Sequence, residues 1–119
     1  MRIFMLALVP ALVLGPPAAD AHASLEHANP AAASTVHASP AQVTLWFTDR
    51  LEPAFSTIEV RDQAGHRVNQ GHAQLDNQDP TVLHVPLKPL SPGTYTVLWR
   101  VISVDGHPTE GDFTFRVAP

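Results

Sequence analysis

The chain has 119 residues, 45% of them hydrophobic and only 15% charged, against roughly 25% charged in an average soluble domain. That is too apolar for a disordered chain and too short for two ordinary domains. A net charge of −4 argues against nucleic-acid binding, and the absence of Cys excludes a disulfide framework, a thiolate metal site and a Cys nucleophile. Seven histidines, as many as Lys and Arg combined, are the feature that asks for an explanation.

Met1-Arg2 opens the chain with positive charge, and Ile3 to Gly15 is an apolar run broken by Pro10. Pro16, Pro17 and the small-x-small triplet Ala19-Asp20-Ala21 follow. This is the pattern of a secretory signal peptide, residues 1–21, cut after Ala21. The run is shorter than the ~20 residues of a spanning helix, so no stable membrane insertion is expected. The mature chain, residues 22–119, then begins with His22, keeps the net charge of −4 and contains no Met. A cut after Ala19 would instead place His22 third, behind Asp20-Ala21, but Pro17 at the −3 position disfavours it.

Period-2 alternation dominates the rest. Ser24–His27 is a weak strand candidate. Val43, Leu45 and Phe47 share one face of the next, opposite Thr44, Trp46 and Thr48. Ile58 and Val60 alternate with Glu59 and Arg61; His66–Asn69 and Thr81–Val85 are weaker strands. Tyr95, Val97, Trp99 and Val101 line the longest pattern, and Phe113, Phe115 and Val117 the last. Turn signals separate them, among them Pro30, Pro40, Asp62-Gln63-Ala64-Gly65, Ser91-Pro92-Gly93 and Asp105-Gly106. About seven short strands and no helix predict an all-β fold, a β-sandwich or a Greek-key barrel. Leu90 to Tyr95 has the form of the tyrosine corner of immunoglobulin-like folds.

Two features carry chemistry. An N-terminal His22 offers its α-amine and imidazole Nδ1 to one metal ion in a single small ring. Asp105-Gly106-His107 follows the longest strand, and residues two apart in extended chain face one side. Together these supply two imidazoles, one amine and one carboxylate, a nitrogen-rich set suited to Cu(II); zinc fits it less tightly. Alone, Asp105-Gly106 reads as a turn, and an exposed terminal His needs no special role.

The co-occurrence matters because the surrounding chain resembles a known family. His22-Ala23-Ser24-Leu25, Asn29-Pro30-Ala31, Val43 to Thr48, the run from Pro92 to Pro108 and Gly111 to Phe115 are similar to the CopC family of periplasmic copper-binding proteins. The specific part is Tyr-x-Val-x-Trp-Arg-Val-x-Ser-x-Asp-Gly-His-Pro, and the resemblance covers essentially all of 22–119. It implies a small cupredoxin-like or immunoglobulin-like β-barrel, periplasmic location, and a Cu(II) site made by His22, Asp105 and His107. It also implies an acidic residue behind the site, at Asp49 or else Glu52, and an inner-membrane copper transporter of the CopD type as partner. Some members carry a Met-rich loop that binds Cu(I). The mature chain has no Met, so a site of that kind is excluded here.

The other histidines read as structural or solvated. His27 shares the parity of Leu25 in a weak strand. His37 lies between two prolines, His66 and His72 flank an expected hairpin at Arg67–Gly71, and His84 is expected to face solvent. Trp46 and Trp99 read as packing residues. The resulting expectation is a copper carrier or buffer, not an enzyme. Its rivals are a histidine-brace oxidative copper enzyme and a metal-free immunoglobulin-like interaction domain. Against the brace, Asp105 would fill a position that oxygen chemistry needs open. Ascorbate-driven peroxide production distinguishes the first rival, and absence of tight copper binding the second.

Overall fold

A computed structural model describes residues 22–119; the expected signal segment, 1–21, lies outside the described residues. Among the described residues, eight strands form two four-stranded sheets. One sheet has the order β1 (Leu25–Asn29), β3 (Gln42–Phe47), β6 (Val82–Pro86), β5 (Gln74–Leu75). The other has the order β2 (Thr35–Val36), β8 (Pro108–Val117), β7 (Gly93–Ile102), β4 (Thr57–Arg61). The pairs are antiparallel except β2 with β8. The sheets do not close on one another, so of the two architectures expected the sandwich is realised and the barrel is not. A single 3-10 turn, Pro53–Phe55, sits before β4. No helix among the described residues is long and apolar enough to cross a membrane.

The alternating residues fill the space between the sheets. Val43, Leu45, Val60, Leu83, Val85, Val97 and Val101 are fully enclosed, and burying each aliphatic side chain contributes about 1.5–3 kcal/mol. Phe47 meets Trp99 edge-on with ring centroids 5.3 Å apart, and Tyr95 stacks on Phe115 at 5.6 Å. Trp99 faces Gly111 across the β7–β8 ladder, and a Cβ at 111 would lie 2.6 Å from its Cζ2. The indole therefore occupies the space that any side chain at 111 would need. The Tyr95 hydroxyl donates to the Ser91 carbonyl at 2.6 Å, which is the tyrosine corner read from the sequence. Burial, with Asp62 adding to it, raises this phenol above its usual range and keeps it a donor.

Three local expectations are corrected. Strands β2 and β5 are two residues long, too short for alternation to reveal them. The segment His66–Asn69 is not a named strand; the isolated bridges Arg61↔Arg67 and Asn69↔Leu87 and the Val68 bonds to the Val60 carbonyl and the Lys88 amide hold it between its neighbours. The turn expected at Asp62–Gly65 is present, and it, rather than Arg67–Gly71, makes the hairpin. There the Asp62 carboxylate accepts the Ala64 and His66 amides, and Gly65 takes φ 85°. The Val60 amide then bonds to the Asn69 side chain rather than to a ladder carbonyl. Burial pushes the Glu59 carboxyl up, but Arg67 and Arg61 together hold it below its ordinary range and tie this hairpin to β4.

The third correction is one of degree: His84 is turned outward as expected but is half-buried, with its Nδ1 enclosed and without a hydrogen-bond partner among the described residues. It stands on the outer face of its sheet, in a cross-strand row with Thr44 and Gln74. It shares a cleft with Asp76 and Asp79, whose carboxylates cap the turn that precedes β6. The strand turns it outward as expected, and within the cleft it is half-buried rather than open.

Candidate metal centre

The site lies at one end of the sandwich, where the start of the described chain meets the β7–β8 connection. Ala23 is fully buried and Ser24 leads into β1, so the segment is tied down up to its first described residue. The Ser24 amide donates to Thr48 Oγ at 2.8 Å, and the Thr48 amide returns a bond to the Ser24 carbonyl at 2.9 Å. From the opposite sheet, the Thr109 hydroxyl donates to the Ala23 carbonyl at 2.8 Å. His22 emerges from these anchors exposed.

His107 closes the tight turn Ser103–His107. The Gly106 amide donates to the Ser103 carbonyl at 2.8 Å and the Ser103 amide to the His107 carbonyl at 3.2 Å. Gly106 has φ 85°, a left-handed conformation that glycine adopts without strain. Ser103 is fully buried, and its hydroxyl accepts from the His107 amide at 3.4 Å. The turn is moored from outside by the Leu51↔Ser103 bridge and by the Val104 amide on the Arg50 carbonyl at 3.0 Å.

These two constructions bring the His22 and His107 rings together, with centroids 4.9 Å apart and planes tilted by 34°. Their sequence separation is 85 positions, so the pairing is a product of the fold. Asp105 sits exposed in the turn. The expectation that it shares a side with His107 assumed extended chain, and the turn at Gly106 removes that premise. Among the described residues no three His, Asp or Glu side chains form a metal-sized cluster. Two imidazoles thus lie together, and the Asp105 carboxylate stands in the same turn as His107.

Asp49 is half-buried directly after Thr48, and its Oδ1 accepts the Arg50 amide at 2.8 Å. Glu52 is half-buried too, with its amide on the Ile102 carbonyl at 2.8 Å. Both lie on the segment that moors the His107 turn. The remaining histidines are elsewhere. His27 is displaced from the parity of Leu25 by a bulge and lies against Trp46 at 4.7 Å on the outer face. The His37 ring is 3.2 Å from the Ala118 carbonyl. His66 lies 3.4 Å from Asp62, and His72 borders a separate cleft with Asn69 and Gly71. Sequence reasoning missed Thr48, Ser103 and Thr109, whose hydroxyls hold the site in place. A lone Thr hydroxyl carries no local signal of a partner 24 or 86 positions away, and the Ser103 hydroxyl, four residues from the His107 amide, belongs to no turn signature that the sequence reading used.

A sequence model of the CopC domain matches residues 25–118. Protein YobA of Escherichia coli K12 is 43% identical over 102 residues, covering 85% of this chain and 82% of that protein. Copper transport protein CutJ of Bacillus subtilis is 31% identical over 107 residues, covering 89% of this chain but 20% of CutJ. The crystal structure of CopC from Methylosinus trichosporium OB3b superposes with a TM-score of 0.77 at 39% identity, covering 82% of this chain and 95% of that one.

Proposed function

Since the chain belongs to the CopC family, whose named members include copper resistance and copper transport proteins, we propose that it is a periplasmic carrier or buffer for one Cu(II) ion. In this reading residues 1–21 are a secretory signal, and 22–119 the copper-binding domain. The ligands are the His22 amine and imidazole, the His107 imidazole and the Asp105 carboxylate, with Asp49 behind them. The observation that carries the reading is the 4.9 Å approach of the His22 and His107 rings. Nitrogen-rich N/O sets favour Cu(II), and the absence of Met from 22–119 leaves no thioether for Cu(I).

No catalytic role is assigned to this site; its work is to hold and hand over the ion. Both rings are exposed, so a partner has access to the metal from outside. That partner is proposed to be a membrane copper transporter of the CopD type. The support is CutJ, in which the matching segment is a fifth of a longer copper transport protein.

The experiment is a Cu(II) titration of the protein beginning at His22, at pH 7.5 and at pH 5. Amines and imidazoles bind metal only when deprotonated, and as free groups they titrate near ~7.7–8.0 and ~6.5. One equivalent is expected to bind at pH 7.5, with affinity falling by more than about 100-fold at pH 5. An affinity that stays flat across this range would exclude amine and imidazole ligation.

A further inference from the structure

We propose that Thr109 is a positioning residue for the metal centre: its hydroxyl fixes the start of the chain over His107. The proposal rests on the reading of His22 and His107 as copper ligands and adds to it what sets their separation.

Thr109 lies two residues beyond His107, at the mouth of β8, and Ala23 follows His22 directly. The 2.8 Å bond from the Thr109 hydroxyl to the Ala23 carbonyl therefore joins the immediate surroundings of both imidazoles. It is the link from the β8 sheet to this segment. The Thr48–Ser24 pair is the link from the other sheet. Residues 23 and 24 are thus held from both layers of the sandwich at once, and Ala23 is fully enclosed between them. A residue at the start of a chain is ordinarily free to fray. Here the residue next to His22 is held on both sides, which narrows the region its imidazole can sample. Preorganisation of this kind appears as affinity, because less disorder is lost when the ion binds. The hydroxyl's role is separable from the strand's own bonding, since its acceptor lies 86 positions away.

The test uses the protein beginning at His22 in three forms: native, Thr109→Val and Thr109→Ser. Valine keeps the shape of threonine and removes the donor, whereas serine keeps the donor and removes the methyl group. Each form is titrated with Cu(II) alone, its electron paramagnetic resonance spectrum is recorded, and exchange of the Ser24 amide is followed in the copper-free state. Thr109→Val is expected to fold with native circular dichroism and to exchange Ser24 faster. It should bind Cu(II) about 10- to 100-fold more weakly, the range found when groups that orient metal ligands are removed, and show a second spectral species. Thr109→Ser should restore affinity and spectrum. Should Thr109→Val fail to fold, Thr48→Val, which removes the acceptor of the Ser24 amide, is expected to produce the same loss.

A folded Thr109→Val with native affinity and a native spectrum would overturn the proposal. Thr109→Ser as weak as Thr109→Val would also overturn it, by showing that the methyl group and not the hydroxyl matters. If the native protein itself shows no nitrogen ligation of copper, the parent reading fails first, and that result is distinguishable from failure of the clamp alone.

Discussion

A chain that begins at His22 is expected to bind Cu(II) at least about 100-fold more tightly than the same chain carrying one Met or a Gly-Ser pair ahead of it. Removing groups that merely orient a ligand costs 10–100-fold, and here a ligand itself is lost. The added residue turns the α-amine into an amide, which is not a base near neutral pH. The small chelate ring with the imidazole disappears with it. The fold is expected to be indifferent. His22 is exposed, and the bonds of the Ala23 carbonyl and the Ser24 amide stay in place when a residue is added ahead of it. The two forms should therefore melt alike without copper and differ in affinity and in the nitrogen count of the resonance spectrum. Equal affinities with identical spectra would remove the amine from the site.

His107→Ala is expected to produce the second large effect, a loss of Cu(II) affinity of about 100-fold or more with the copper-free fold intact. The ring is exposed, and its removal leaves the turn's backbone bonds from Gly106 and Ser103 in place. Asp105→Ala should weaken binding less, because it removes an oxygen where copper prefers nitrogen, and because the turn does not draw Asp105 into a cluster with both rings. His66→Ala and His72→Ala are expected to leave affinity unchanged, since these side chains border the Asp62 turn and a separate cleft. Titrations of the four variants in parallel check the ranking. A reversed order would move the site to the hairpin.

The parts of the fold that sequence made legible are those in which the face of a side chain follows from its position in the strand. Val43, Leu45 and Phe47, and likewise Tyr95, Val97 and Val101, are buried together because a strand alternates and one face is covered. The tyrosine corner was legible because its donor and acceptor are four residues apart. What escaped is set by contacts far along the chain or by local departures from extended geometry. The bulge between Leu25 and His27 shifts every later residue of β1 to the opposite face, and nothing in Ser24–His27 announces it. Strand parity turned His84 outward, and it did not reveal the cleft shared with Asp76 and Asp79 in which the ring is half-buried.

The proposed site divides in the same way. The approach of His22 to His107 was readable from chemistry and from family resemblance. The relation of Asp105 to His107 was not, because Gly106 leaves the extended region. Thr48 and Thr109 were invisible for a different reason. Each acts through one hydroxyl, and Thr48 and Thr109 reach partners 24 and 86 positions away, respectively.

The most direct test is the intact mass of the protein recovered from the periplasm of a bacterial host, measured under native conditions before and after addition of one equivalent of Cu(II). The account predicts a chain running from His22 that gains the mass of a single copper ion and retains it. A chain that starts at any other residue and holds copper equally well would contradict it.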